Sequence, residues 1–254
     1  MKRLLYVLLP LIFWVGVWQI GSVLVSLTAG TRGGELLLPG PAVVLEVLVR
    51  LIGTAAFWRS VFATLGRVLA GLLAGVVLGS VLAGLTCAFS WFDVLVSPFI
   101  RVVRAAPVAS FILLVLLWVG RDRVPAVISA LMVLPVVWGN LARGIRETDP
   151  RLLELARAYR FSSWKVLVLI YLPSLRPYFL SGLTTSIGLA WKSGVAAEVL
   201  CLPKRAIGSR IYNTKLYLEV PELFAWTAVT VALSLALEYF LRRGVGRLGK
   251  GAVP

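Results

Sequence analysis

Long apolar stretches alternate with short basic and polar segments along the whole chain. A helix that crosses a bilayer needs about 20 predominantly apolar residues, and several stretches reach or approach that length. The pattern therefore predicts an all-α integral membrane protein, with one transmembrane domain over residues 1–254 and six spans. The predicted spans are residues 4–27, 62–86, 106–119, 125–142, 175–200 and 223–241.

Two of the predicted spans have unusual flanks. Pro98 and Pro107 precede the short third span, and proline bends or breaks helices, so we expect residues 94–106 to form a kinked or interfacial lead-in that shares the crossing. The first span follows Lys2 and Arg3, as the apolar part of a signal peptide would. It is longer than a cleaved signal normally is, and we expect it to be retained.

The composition supports a membrane protein and argues against metal, catalytic and ATP-binding sites. Hydrophobic residues make up 59% of the chain, charged residues 15%, and the mean hydropathy is +0.93. The chain has no His and two Cys, so we expect no metal site, no cofactor and no catalytic residues. No Gly-x-x-x-x-Gly-Lys-Ser/Thr loop is present to hold ATP. The net charge of +15 is scattered between spans, which does not favour a nucleic-acid partner.

The basic residues predict an orientation. Lys and Arg are enriched in cytoplasmic loops, and the densest basic cluster lies between the fourth and fifth predicted spans. Placing both termini in the cytoplasm puts that cluster inside. The longer loops, residues 28–57 and 201–222, then lie outside.

The basic segment between spans four and five has the pattern of two short helices. Asp149 can cap the free amides of a helix that begins at Pro150. Leu152, Ala156 and Tyr159 follow at spacings that place them on one apolar face. The segment therefore begins with a short amphipathic helix.

A second short helix is predicted to follow. Ser162 or Ser163 can cap it, and Pro173 is expected to end it before the fifth span. Two helices joined by a bend form a projecting knob that could lie in a groove of a soluble partner.

The spacing within this segment resembles the EAA loop of bacterial ABC importer permeases. The family pattern is Glu-Ala-Ala, three residues, Gly, nine residues and Ile-x-Leu-Pro. The residues that match in register are Glu154, Ala156, Ile170, Leu172 and Pro173. Two positions depart, with Leu155 in place of the first Ala and Arg160 in place of the Gly. Arg does not readily take a positive φ, so we expect a gentler or shifted bend.

The resemblance extends over most of the chain. It includes an amphipathic lead-in at residues 58–67, Pro107 and the segment 191–198. The permeases of nitrate, sulfonate, taurine and thiamine-precursor importers are the most similar type, which implies a small organic solute, with anions among the candidates. The implied location is the bacterial inner membrane.

The resemblance also implies the partners and the residues that meet them. The partners are separate ATP-binding cassette ATPase subunits, an extracellular solute-binding protein and a second permease subunit, either identical or different. The segment 150–173 would dock on the ATPase. The residues implied in coupling are Leu152, Glu154, Ala156, Tyr159 and Arg160.

Small residues recur every four positions along the second span. Gly71, Gly75, Gly79 and Ala83 form a ridge that allows another helix to approach closely. That helix could belong to the same subunit or to a second one.

The fifth span carries a polar stripe formed by Ser181, Thr185, Gly188 and Lys192 on one helical face. These residues are candidates for the lining of a transport pathway. A cation inside the membrane is costly and needs a reason. Lys192 either faces the pathway and attracts an anion, or pairs with an acid of another helix or subunit. An intrahelical pair with Glu198 is disfavoured because the two residues lie on different faces.

Two other classes of membrane protein have less support in the sequence. A transporter or channel that works alone would need an ion-coupling or filter site, and few intramembrane acids are available for one. A membrane-embedded enzyme would need a nucleophile and a base, and none is apparent. The sequence does not identify the solute.

Overall fold

The computed structural model describes residues 2–250, and no strand occurs among them. Eleven α-helices and one π-helical turn, Leu167–Tyr171, follow one another along this part of the chain. The helices are α1 (Lys2–Leu37), α2 (Pro41–Ile52), α3 (Ala55–Ala88), α4 (Ser90–Ala105), α5 (Val108–Trp118), α6 (Val124–Arg146), α7 (Pro150–Ala158), α8 (Ser163–Val166), α9 (Leu172–Cys201), α10 (Ile207–Leu216) and α11 (Val220–Lys250).

The apolar helices confirm the predicted all-α membrane fold. Among the described residues, five helical segments are long and apolar enough to cross a membrane, and a sixth crossing is obtained if α4 and α5 count as one broken span. The five segments are Leu8–Gly30, Ala55–Ala88, Val124–Arg146, Ser163–Cys201 and Val220–Gly244. Each contains or overlaps one of the predicted spans.

The third predicted span is the broken one. Helices α4 and α5 meet at an angle of 113°. The bend falls at Ala106 and Pro107, where Ala106 is extended (φ −76°, ψ 143°) because a residue before proline is kept out of the helical region. Pro98 lies inside α4 without interrupting it. Helix α5 has 11 residues, about 16 Å at 1.5 Å per residue, and needs α4 to complete a crossing.

The chain divides into two compact units. The first comprises residues 1–63 and 202–233, and the second comprises residues 64–201 and 234–254. In the first unit, the ring of Phe57 stacks on that of Trp226 with 5.2 Å between centroids. The indole N–H of Trp18 donates to the carbonyl of Pro39 (3.0 Å), which holds the middle of α1 against the turn before α2.

The second unit is built on a close contact between α3 and α6. An added Cβ at Gly75 would lie 2.7 Å from the carbonyl oxygen of Ala130 and 2.7 Å from the Cβ of Val133. At Gly79 it would lie 2.8 Å from the carbonyl oxygen of Leu134. Gly71 makes the same kind of contact with Ala126. The ridge thus packs against a helix of its own chain.

Helix α9 joins this contact through Ser129 of α6. The buried hydroxyl of Ser129 donates to the carbonyl of Ala190 (3.0 Å). An added Cβ at Gly194 would lie 2.6 Å from that hydroxyl oxygen and 2.7 Å from a methyl group of Val68. The three helices therefore meet where their side chains are smallest.

We expect Gly75→Leu to disrupt this packing, because the side chain would collide with the backbone of α6. The expected destabilisation is about 3 kcal/mol or more, at the upper end of overpacking effects. Thermal unfolding of the purified permease measures it. Gly66→Leu is the matched control, since Gly66 lies on the same helix and its added Cβ would have no heavy atom within 4 Å. Equal melting temperatures for the two variants would contradict the contact.

Candidate functional site

The loop that follows α6 has a defined local structure. The carboxylate of Asp149 accepts a hydrogen bond from the Arg151 amide (2.9 Å), and Pro150 is the first residue of α7, as the capping pattern predicted. Ser162 caps α8 by accepting from the Lys165 amide (3.5 Å). These caps fix the two helices on either side of a bend at residues 159–162.

The bend departs from the sequence-based expectation. Arg160 takes a left-handed conformation (φ 51°), so the bend is as sharp as a Gly would allow. Two hydrogen bonds explain it: the Arg160 amide donates to the Arg157 carbonyl (3.0 Å) and the Phe161 amide to the Ala156 carbonyl (2.8 Å). This is the Schellman pattern at a helix C-terminus. The two bonds offset the cost of about 1 kcal/mol that a side chain pays in this conformation.

The second helix also differs from the prediction. Pro173 was expected to end it, but α8 continues through the π-helical turn into α9, with Pro173 in the first turn of α9. The Leu172 amide donates to the Leu167 carbonyl five residues earlier. The wider turn accommodates a proline ring that would clash with the carbonyl four residues back in a regular α-helix. Helix α8, the π-helical turn and α9 are thus one connected helical segment, Ser163–Cys201.

On the apolar side of α7, one residue is buried within the chain and the others are exposed. Ala156 is only 3% exposed, so it packs within the chain. Leu152, Leu155 and Tyr159 remain 41%, 52% and 71% exposed. The ring of Phe161 lies 6.4 Å from that of Tyr159 and extends the same surface. We call the surface formed by Leu152, Leu155, Tyr159 and Phe161 the apolar patch.

Charged residues border the apolar patch. Glu154, Arg157 and Arg160 are all exposed. Exposed apolar side chains within a charged border are typical of a surface that meets another protein. Leu155, one of the two departures from the family pattern, contributes to this surface.

The polar stripe of α9 lies on its exposed side. Ser181, Thr185 and Lys192 are exposed and Gly188 is half-buried, whereas Ser186 and Ala190 on the opposite side are buried. The hydroxyl of Thr185 donates to the Ser181 carbonyl (3.1 Å). The four stripe residues therefore share one accessible face of the second unit.

Lys192 forms no ion pair with any acid whose side chain the structure describes. The nearest acid to the stripe that the contacts identify is Glu238 of α11, because an added Cβ at Gly188 would lie 2.9 Å from its carboxylate oxygen. Glu238 pairs with Arg242 one turn further along α11 (3.5 Å).

A buried ion pair, which the sequence did not reveal, ties α3 to α9. The carboxylate of Glu198 is completely buried and accepts hydrogen bonds from the Thr64 hydroxyl (2.8 Å) and the Arg67 guanidinium (3.2 Å). Arg67 also reaches Asp122, on the turn before α6, at 3.3 Å. Thr64 and Arg67 occur three residues apart, as neighbours on a helix face do, and this spacing was the available signal.

Known transport proteins match most of this chain. The family model described as "binding-protein-dependent transport system inner membrane component" matches residues 75–248. A permease protein of Escherichia coli (strain K12), named for the transport of aliphatic sulfonates, is 30% identical over 81% of this chain and 76% of its own length. The taurine transport system permease protein of the same organism is 27% identical over 82% of this chain and 77% of its length.

One solved structure shows the same fold. It is a bacterial alginate ABC transporter, crystallised in complex with an alginate pentasaccharide-bound periplasmic protein. The TM-score is 0.65, with 19% sequence identity, 99% of this chain and 97% of the other covered.

We expect Arg67→Met to destabilise the protein by about 3–5 kcal/mol, because it removes a positive charge that is hydrogen-bonded to the buried Glu198 carboxylate. Changing both residues, Arg67→Met with Glu198→Met, removes the buried charge as well and should recover much of the loss. Arg50→Met is the control, since Arg50 and Glu46 form an exposed pair worth under about 0.5 kcal/mol. Thermal unfolding measures all three, and an equal effect of Arg67→Met and Arg50→Met would contradict the role of the pair.

Proposed function

The chain belongs to the family of binding-protein-dependent transport system inner membrane components, and we propose that, as the permease subunit of an ABC importer, it carries a small anionic organic solute and couples through residues 150–173 to a separate ATPase. The exposed apolar patch, within a loop that has the register of the EAA segment, carries the proposal of coupling. Membership of the family supports an importer subunit over a transporter that works alone or a membrane enzyme.

The apolar patch supports a defined kind of contact with the ATPase. Its four side chains present an apolar surface on α7 and the bend that follows it, and the flanking Arg157 and Arg160 supply positive charge. The matching surface would be an apolar groove with acidic residues at its edge. Ala156 supports α7 from within the chain, so its part in coupling is to hold the helix in place.

The stripe of α9 supports an anionic solute. An exposed ammonium on a spanning helix is costly in lipid, so Lys192 is better placed in a water-filled pathway than at the lipid surface. The hydroxyls of Ser181 and Thr185 and the Lys192 ammonium can all donate hydrogen bonds. Sulfonates and carboxylates accept such bonds, and the similarity to permeases named for taurine and aliphatic sulfonates supports the same class.

The exposed position of the α9 stripe also supports an assembly of two permease subunits. The stripe of one subunit would line one side of the pathway, and a second subunit, identical in the simplest case, would supply the other side. An extracellular binding protein would deliver the solute, as the periplasmic protein in the alginate transporter complex suggests. The basic segment 150–173 would face the cytoplasm, with both termini on that side.

We expect Leu155→Asp to weaken binding of the ATPase by about tenfold or more, because it removes a buried apolar contact and desolvates a carboxylate. Leu155→Met keeps an apolar side chain of similar volume at the same exposed position and should bind as the wild type does. Co-purification of an ATP-binding cassette ATPase with the permease from its native membrane measures the effect. Ala156→Asp is unsuitable because it would bury a charge within the chain. Wild-type binding by Leu155→Asp would contradict the docking proposal.

We expect Lys192→Met to lower solute uptake by at least about tenfold, because a charged hydrogen bond to the anion contributes roughly 1.5–3 kcal/mol. The complex should still assemble and hydrolyse ATP, and Lys192→Arg should retain most uptake. Uptake of radiolabelled taurine or an alkanesulfonate by proteoliposomes is the measurement. If Lys192→Met fails to assemble and a change at an acid of another subunit restores assembly, Lys192 is structural and the pathway proposal is wrong.

A further inference from the structure

The second unit contains a large cavity that the proposed transport function does not use. It has a volume of about 720 Å³ and lies between α3, α6, the π-helical turn and the start of α9. Its wall is mostly apolar, with Leu141, Leu175 and Phe179 as major contributors. Gly84 of α3 and Arg176 of α9 also line it.

The cavity lies on the opposite side of α9 from the polar stripe. Arg176 and Thr185 are nine residues apart, so at about 100° per residue their side chains point half a turn apart. The same arithmetic separates Arg176 from Lys192 by about 160°. A ligand in this cavity would not be in the pathway formed by the stripe.

Some polar groups of the cavity wall have hydrogen-bond partners within the described part of the chain, and others do not. The Ser80 hydroxyl donates to the Val76 carbonyl (2.7 Å), and the Cys87 thiol lies 3.7 Å from the Ala142 carbonyl. Arg176 and Tyr171 are half-buried, and neither has an ion pair or side-chain hydrogen bond to the described part of the chain. The cavity therefore offers one guanidinium and one phenol to a ligand, and otherwise apolar surface.

The chemistry of the cavity wall indicates which class of ligand it can bind. Water needs two to four polar partners to remain ordered in a cavity, and this wall offers few. A half-buried guanidinium needs an anion, and it binds phosphate through two parallel hydrogen bonds. A membrane supplies molecules that combine a phosphate with a long apolar chain. We propose that the cavity binds an anionic phospholipid, with an acyl chain along Leu141, Leu175 and Phe179 and the phosphate at Arg176 and Tyr171.

The position of the cavity implies a structural role for the lipid. Leu167 and Tyr171 of the π-helical turn form part of the wall, so an acyl chain would support the turn that joins the loop 150–166 to α9. If the proposed coupling through this loop is correct, the lipid also stabilises the route by which the ATPase acts on α9. Binding of the lipid does not depend on that coupling.

The test measures lipid retained by the purified full chain. The permease is extracted from nanodiscs of phosphatidylcholine with or without phosphatidylglycerol, and bound lipid is identified by native mass spectrometry. The wild type should retain phosphatidylglycerol. Arg176→Gln should lower the affinity for phosphatidylglycerol by about tenfold and leave that for phosphatidylcholine unchanged.

A second variant fills the cavity without disturbing the fold. An added Cβ at Gly84 has no heavy atom within 4 Å, so Gly84→Leu should fold and should lose both lipids. Gly66→Leu and Arg104→Gln are matched controls, at an open glycine of α3 and an exposed arginine of α4 that do not line the cavity. Both should retain phosphatidylglycerol as the wild type does.

Three results would overturn the proposal. The first is wild-type retention of phosphatidylglycerol by both cavity variants. The second is an equal loss in Arg104→Gln and Arg176→Gln, which would indicate only a general attraction between basic residues and anionic lipid. The third is displacement of the lipid by glycerol phosphate, which would assign the site to a soluble anion. None of these measurements uses transport or ATP hydrolysis, so the outcome is independent of the proposed function.

Discussion

The close approach of α3, α6 and α9 around Ser129 is the contact on which the second unit depends. In a bilayer, helices gain little from burying apolar side chains against one another, and association comes from tight packing and interhelical hydrogen bonds. Gly71 and Gly194 bring their helices within reach of Ser129, and its hydroxyl bonds to the backbone of α9. The pair between Arg67 and Glu198 then joins α3 to α9 a short distance away. The exposed stripe of α9 is held by this framework on its opposite side.

Much of the fold could be predicted from the sequence because its signals are local. A run of apolar residues determines a spanning helix without reference to the rest of the chain. The start of α7 at Pro150 follows from Asp149 and Pro150 alone. The glycine ridge of α3 predicted a close helix contact, although the sequence left open whether α6 or a second subunit would provide it.

The remaining features depend on contacts between distant residues or on competition between local effects. Glu198 and Arg67 are 131 residues apart, so their pairing required the fold. At Arg160 the intrinsic preference against a positive φ was correct, but two hydrogen bonds at the end of α7 outweigh it. Ala156 lies on the predicted face of α7, yet the short side chain is enclosed by the chain while Leu152 and Tyr159 extend beyond it. The periodicity of the sequence predicts which residues share a helix face, but the length of each side chain decides whether it is exposed there.

The continuity of α9 with the π-helical turn has a mechanical consequence. Helix α9 has 30 residues, which corresponds to a rod about 45 Å long. A tilt of about 10° about the π-helical turn would move the far end of such a rod by roughly 8 Å. The turn is the natural pivot, because its widened hydrogen-bond register is already distorted relative to the helix that follows. A small displacement of the loop would thus be passed to α3 and α6 as well, because Arg67 and Ser129 join these two helices to the end of α9 that carries Glu198.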